Sequence, residues 1–249
     1  DYRIVDAITD PPDTSASLST ETLIHMPRTF SVYQPADELP HPGPLPNLSR
    51  GFITFGSFNS MPKLNEALLQ SWCRMLLNVD SSRILMKNIA LDFPEPRRQI
   101  LNLFEAHGVD PERVDLQGST GSQLDHLRTI SEVDISLDSF PYNGTTTTCD
   151  CLMMGVPVVT RAGQDHRSRV SASQLNALGL DDLIGQDEDS TIDIAVALAK
   201  DPQRLQALRT ELPRQMRASA LMDAKGFTRE LEARLTEAWV EKQEMNTSA

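Results

Sequence analysis

The chain is short of positive charge and of long apolar runs. Its 249 residues include 23 lysines and arginines against 35 aspartates and glutamates, for a formal net charge of −12 at pH 7. A nucleic-acid binder normally presents a basic face, so this balance disfavours DNA or RNA as a partner. No apolar run approaches a membrane span, and no secretion signal opens the chain. We therefore expect a cytoplasmic protein with no membrane partner.

Cysteine is also scarce. The three cysteines are Cys73, Cys149 and Cys151, and the single residue between the last two is too short a gap for a metal-binding CxxC pair. No second cysteine cluster follows. The pattern predicts reduced thiols, as are usual in the cytosol.

From Gly51 onward, apolar strand patterns alternate with helical ones. The predicted strands are 51–58, 83–87, 113–118, 133–138, 156–160 and 182–185. The predicted helices are 65–79, 95–109, 122–130, 147–155, 168–179, 190–200, 201–218 and 224–242. Short connections between alternating strands and helices predict a parallel sheet covered on both faces. The expected fold class is α/β, a doubly wound, Rossmann-like domain with additional C-terminal helices.

The first 50 residues follow a different pattern. Residues 2–8 are typical of a strand and residues 21–26 of a short helix, which is too little to form a core. Proline occupies every second position from Pro40 to Pro46, which favours extended backbone. We therefore expect three parts: residues 1–34 as the end of a preceding unit, 35–50 as a proline-rich linker, and 51–249 as the main domain.

The common glycine-rich nucleotide motifs are absent. No GxGxxG follows the first strand of the alternating region, which disfavours a standard NAD or FAD site, and the missing GxxxxGK[ST] disfavours a P-loop NTPase. A nucleotide bound by this domain therefore needs another kind of phosphate-binding loop.

Three loops at the predicted carboxyl ends of strands carry polar or basic groups. Lys63 follows the first strand, His126 follows the third, and the run Thr145–Thr148 follows the fourth, with Asp150 just beyond it. Ligands of such sheets bind at this edge, and phosphates favour the unpaired N–H groups of a helix N-terminus. The grouping predicts a diphosphate near the threonines and Lys63, a ribose near Asp150 and a base near His126. Taken singly, each residue is also typical of a helix cap or a solvated surface.

Three stretches resemble a known family. "FITFGSFNSMPK", "DISLDSFPYNGTTTTCDCLMMGVPVVT" and "SRVSASQLNALGL" are similar to the C-terminal catalytic half of the O-linked N-acetylglucosamine transferases, which include bacterial homologues and the plant Spindly proteins. Residues 1–34 resemble the end of the N-terminal catalytic half. The resemblance implies an inverting GT-B glycosyltransferase that needs no metal or other cofactor, with a UDP-sugar held mainly by the C-terminal lobe.

The resemblance also implies roles by position. It assigns diphosphate contacts to Lys63, Thr146 and Thr147, a uracil contact to His126 and a ribose contact to Asp150. Lys63 would be the catalytic residue, because it stabilises the departing UDP. Asn59 matches the second residue of a Phe-Asn pair that precedes the lysine in the family.

The chain departs from the animal enzymes at four nearby positions. Thr145 stands in place of a histidine, Thr148 of a glycine, Ser60 of a glutamine and Thr129 of an arginine. The departures concern the sugar and the uracil and leave the diphosphate and ribose positions intact.

The family transfers N-acetylglucosamine, or fucose in the Spindly branch, to Ser and Thr hydroxyls of intracellular proteins. The resemblance implies UDP-N-acetylglucosamine (UDP-GlcNAc) as donor and proteins as acceptors. Transfer of another sugar, by O-fucosylation or N-glucosylation, stays open, as does a nucleotide-binding lobe that is inactive in isolation. Most of the N-terminal catalytic lobe, a required partner, is expected elsewhere in the parent protein, as are tetratricopeptide repeats.

Overall fold

The computed structural model describes residues 1–247, which form a small sheet and a larger one. The strands are β1 (Tyr2–Asp6), β2 (Thr22–Met26), β3 (Ile53–Ser57), β4 (Ser82–Lys87), β5 (Val114–Gln117), β6 (Ile135–Leu137), β7 (Val158–Arg161) and β8 (Ile184–Gly185). The helices are α1 (Pro12–Ser15), α2 (Asn47–Arg50), α3 (Glu66–Leu77), α4 (Pro94–Ala106), α5 (Gln123–Ile130), α6 (Thr146–Met153), α7 (Val170–Asn176), α8 (Glu188–Ala199), α9 (Pro202–Ala218) and α10 (Ala224–Thr247).

The larger sheet has the strand order β5-β4-β3-β6-β7-β8, and all neighbouring strands are parallel. This is the Rossmann arrangement, in which the chain builds outward from the centre in one direction and then in the other. The reversal falls between β3 and β6. The loops that leave these two strands diverge there and open a crevice at the carboxyl edge. The prediction of a doubly wound α/β domain is confirmed.

Helices bury the sheet on both sides. α3 contacts α4 and α8, while α6 contacts α5, α7 and α9. Phe55 on β3, Trp72 on α3 and Phe104 on α4 are almost completely buried. Burial of side chains of this size stabilises the fold by about 2–3 kcal/mol each. The carboxyl edge of the sheet is therefore supported by a tightly packed core.

The N-terminal segment forms a parallel pair of strands. β1 pairs with β2 in register from Tyr2–Thr22 to Asp6–Met26. The prediction of a helix at residues 21–26 is therefore wrong. Ile24 and Met26 are buried at alternate positions, which is the period of a strand. The extended form is stabilised by pairing with β1, a partner that a local pattern does not reveal.

The predicted linker is an extended segment that lies on the larger domain. Residues 31–46 contain no helix or strand, yet Leu45 is buried in the main core and Tyr33 packs against it. The segment ends in the short helix α2 and at Gly51, whose left-handed φ of 74° suits glycine. The division into residues 1–34, 35–50 and 51–249 stays a prediction, and residues 248 and 249 lie outside the described part of the chain.

Some element boundaries differ from the predicted ones. β8 has only two residues. α8 begins at Glu188 rather than at residue 190, because the Asp187 carboxylate accepts a hydrogen bond from the Ser190 N–H at 2.8 Å and caps the helix. Within residues 1–247, no helix combines the length and the apolar character needed to cross a membrane.

Candidate active site

The candidate site lies at the crevice between β3 and β6. Asn59 and Lys63 follow β3, and residues 138–145 connect β6 to α6. The ammonium of Lys63 donates a hydrogen bond to the backbone oxygen of Asn143 at 2.7 Å, which joins the two loops. The structure thus brings together the site residues that were predicted in the loops after β3 and β6.

The N-terminus of α6 is open to solvent. Thr145 stands at the N-cap position, but its hydroxyl makes no capping hydrogen bond. Thr146 is exposed and Thr147 is half-buried, and neither hydroxyl has a hydrogen-bond partner among residues 1–244. The first N–H groups of a helix are unpaired and lie at the positive end of its dipole. An anion at this position would meet both these N–H groups and two free hydroxyls.

Thr148 serves packing instead. Its hydroxyl lies 2.9 Å from the Ser171 hydroxyl on α7, and Ser171 donates in turn to the backbone oxygen of Gly144. Gly144 has no room for a side chain, since a Cβ atom would lie 2.6 Å from the Thr148 hydroxyl. The departure from the family at Thr148 therefore concerns the support of the loop, whereas Thr145 is exposed at its surface.

A buried carboxylate, that of Asp138, organises both loops. It accepts hydrogen bonds from the backbone N–H groups of Ser139 and Gly144, both at 2.8 Å, from the Thr160 hydroxyl at 2.7 Å and from the Asn59 amide at 3.3 Å. Burial raises the pKa of Asp138, and the hydrogen bonds oppose that shift. Sequence reasoning missed this residue, although its place at the carboxyl end of β6 was a usable signal.

Lys63 is a half-buried cation at this edge of the sheet. Its ammonium lies 4.3 Å from the centre of the Tyr142 ring, and no carboxylate among residues 1–244 lies at ion-pair distance from it. Burial lowers the pKa of Lys63, while the negative charge of Asp138 opposes that shift. A phosphate bound at the crevice would supply the missing counter-charge.

His126 is held between Phe58 and Lys87. The Lys87 ammonium lies 3.0 Å from Nδ1, and the ring meets Phe58 edge to face, with 6.0 Å between centres. Because the ammonium donates to Nδ1, the neutral ring carries its proton on Nε2, which suits the carbonyl oxygen of a base. Sequence reasoning also missed Lys87, although it ends β4 at the same edge as Lys63.

We expect His126 to stay neutral down to about pH 4. Burial and the nearby Lys87 charge lower its pKa from 6.5 to about 4. The unfolded chain therefore binds a proton between these two pH values that the folded chain does not bind, so His126 lowers the free energy of unfolding as the pH falls through this window. NMR titration of the imidazole measures the pKa, with His126→Gln to assign the resonance. A pKa above 6 would contradict the neutral donor role.

Asp150 lies one turn into α6 and is mostly buried. The Tyr33 hydroxyl, 117 residues earlier in the chain, donates a hydrogen bond to its Oδ1 atom at 2.5 Å. Burial raises the pKa of Asp150, and the hydrogen bond from Tyr33 opposes that shift. No sequence signal pointed to Tyr33, because its partner is so distant in the chain.

The charged groups described above are thus two lysines, Lys63 and Lys87, and two buried carboxylates, Asp138 and Asp150. Within residues 1–247, no three His, Cys, Asp or Glu side chains are grouped so as to hold a metal ion. The set offers cations, hydroxyls and N–H groups to an anion and a carboxylate to neutral hydroxyls.

Comparison with known proteins yields close relatives. The family described as "Glycosyl transferase family 41" matches residues 45–231. A Petunia hybrida protein named "Probable UDP-N-acetylglucosamine--peptide N-acetylglucosaminyltransferase SPINDLY" is 41% identical over 239 residues, or 96% of this chain and 26% of the relative. A protein of the same name from Solanum lycopersicum has the same identity and coverage. The chain thus spans about a quarter of the length of these relatives.

A solved structure is also similar. A mutant O-GlcNAc transferase from Thermobaculum terrenum matches with a TM-score of 0.90 and 33% sequence identity, over 100% of this chain and 46% of that one. The likeness therefore includes the N-terminal strand pair as well as the larger sheet.

Proposed function

We propose that this chain, which belongs to glycosyl transferase family 41, binds the nucleotide-sugar donor of a protein glycosyltransferase. The observation that carries the proposal is the pairing of two charge-stabilising features in one crevice. Lys63 forms no ion pair with an acidic side chain among residues 1–244, and its ammonium joins the loop that leads into the open N-terminus of α6. A diphosphate fits both features.

The proposed reaction transfers a hexose with inversion. The oxygen of an acceptor hydroxyl forms a bond to the anomeric carbon while the bond from that carbon to the diphosphate oxygen breaks. The electron pair leaves with the nucleoside diphosphate, and the hydroxyl proton passes to a base outside the residues assigned here. Lys63, the Thr146 and Thr147 hydroxyls and the α6 N-terminus stabilise the negative charge that develops on the leaving group. We propose that this set suffices without a divalent ion.

We assign the ribose and the base of the nucleotide to residues at the same edge of the sheet. Asp150 offers the ribose hydroxyls the carboxylate oxygen that Tyr33 does not occupy, and Nε2 of His126 donates to a carbonyl of the base. N-acetylglucosamine is the sugar that the relatives' names support. The sugar-side residues are Tyr142 and Thr145, both exposed beside Lys63 and the α6 N-terminus, and fucose is the alternative that they leave open.

We further propose that the protein acts on Ser and Thr hydroxyls of other proteins in the cytoplasm. There, the buried thiols Cys73, Cys149 and Cys151 would stay reduced. The N-terminal lobe of the parent protein supplies the acceptor-side groups in this proposal, so the described chain alone binds donor but transfers no sugar.

Isothermal titration calorimetry of this chain tests the donor site. UDP and UDP-GlcNAc are expected to bind, and Asp150→Ala to weaken both by at least tenfold through the lost ribose contacts. GDP-fucose in a parallel titration decides between the two sugars, and repetition in EDTA tests metal independence. Absence of binding by all three nucleotides at millimolar concentration would contradict the proposal.

A further inference from the structure

Tyr33 connects the extended N-terminal segment to the candidate ribose carboxylate. Its hydroxyl donates to Oδ1 of Asp150 at 2.5 Å, and its backbone N–H donates to the Leu221 carbonyl oxygen at 2.7 Å. Leu221 is buried in the turn between α9 and α10. The tyrosine is thus held by α6 at its hydroxyl and by the C-terminal helices at its backbone.

The Asp150 carboxylate has few hydrogen bonds for a buried group. Among residues 1–244, Tyr33 is the one group that donates to it, whereas Asp138 accepts from four groups. The other titratable groups beside it are the thiols of Cys149 and Cys151, whose pKa values are raised by burial, so both stay neutral at pH 7. The hydrogen bond from Tyr33 occupies Oδ1 and leaves Oδ2 for a ligand.

We infer that Tyr33 is a positioning residue for nucleotide binding: its hydroxyl favours the ionised form of Asp150 and holds the carboxylate turned so that Oδ2 accepts the ribose hydroxyls. The inference rests on the proposed function, because it concerns the same nucleotide site. A hydrogen bond to an ionised carboxylate is about twice as strong as one to a neutral group. A carboxylate held in one rotamer also loses less side-chain freedom when the ligand binds.

The consequence is a defined pH dependence. Burial raises the pKa of Asp150, and the hydrogen bond from Tyr33 lowers it. Nucleotide affinity is therefore full above this pKa and falls as the pH drops through it. Removal of the tyrosine hydroxyl raises the pKa of Asp150, so affinity is lost at a higher pH than in the wild-type chain.

The experiment measures affinity from pH 4.5 to 8.5 for the wild-type chain and Tyr33→Phe. The probes are UDP-GlcNAc and GDP-fucose, since both phosphates of each are esterified and do not titrate in this range. We expect Tyr33→Phe to move the midpoint upward by about one pH unit, which makes binding about tenfold weaker between the two midpoints. Asp150→Asn, which stays uncharged, is expected to bind weakly and without this pH dependence.

Tyr2→Phe is the matched control. The Tyr2 hydroxyl donates to the Ala238 backbone oxygen on α10 at 3.1 Å, so this variant removes a tyrosine hydrogen bond from the N-terminal segment to a helix other than α6. Its midpoint should equal that of the wild type. An equal loss of affinity at every pH in Tyr33→Phe, with no shift of midpoint, would overturn the inference. A wild-type chain that binds neither probe would instead overturn the proposed function.

Discussion

Lys63→Ala in the full-length protein is expected to lower kcat of the proposed sugar transfer at least 100-fold. The Lys63 side chain joins the β3 and β6 loops in the proposed site, and no carboxylate among residues 1–244 lies at ion-pair distance from its ammonium. Loss of a preorganised group that stabilises transition-state charge typically lowers kcat by about 10²–10³-fold. Steady-state kinetics with peptide acceptor and nucleotide sugar measure the effect.

The controls separate charge from packing. Lys63→Arg keeps a cation in the crevice and should retain more activity than the alanine variant, though less than the wild type, because its planar group does not reproduce the hydrogen bond to Asn143. Lys200→Ala removes an exposed lysine at the end of α8 and should leave kcat unchanged. Near-normal turnover of Lys63→Ala would remove the lysine from the leaving-group role.

Asp138→Ala is expected to reduce both the free energy of unfolding and the affinity for nucleotide. The substitution leaves four donors without their acceptor. Each buried donor left unpaired costs about 1–3 kcal/mol, which water entering the space reduces in part, so we expect a total loss of about 3 kcal/mol. The Gly144 turn before α6 is released as well, and UDP binding by calorimetry should weaken at least tenfold.

Asp134→Ala is the matched control for this prediction. Asp134 is buried at the opposite end of β6, where it accepts hydrogen bonds from the backbone N–H groups of Asn47 and Thr54. Its loss should also lower the free energy of unfolding, measured by denaturant titration. It should leave UDP affinity within about twofold, because this end of the strand is remote from the α6 N-terminus. Equal losses of affinity in the two variants would show that Asp138 acts only through global stability.

The sequence was sufficient to predict the sheet and half of the crevice. Buried strands alternating with amphipathic helices leave few topologies once crossovers are right-handed, so Lys63 and Thr146 could be placed at one edge without coordinates. The same rule, applied to every strand end, would have found Lys87 and Asp138. The helix predicted at residues 21–26 was wrong because a strand is decided by its pairing partner more than by its own residues.

The sequence by itself determined the fold class, the carboxyl-edge loops and the open hydroxyls at the start of α6, because these follow from local periodicity and from the chain order of strands. Tertiary structure alone decided how those groups are charged and held. Asp138 gathers donors from two loops and from strand β7, Lys87 holds one nitrogen of His126, and Tyr33 reaches Asp150 across 117 residues. Hydrogen-bond partners and burial depend on side chains that meet only after folding, and no local pattern encodes them.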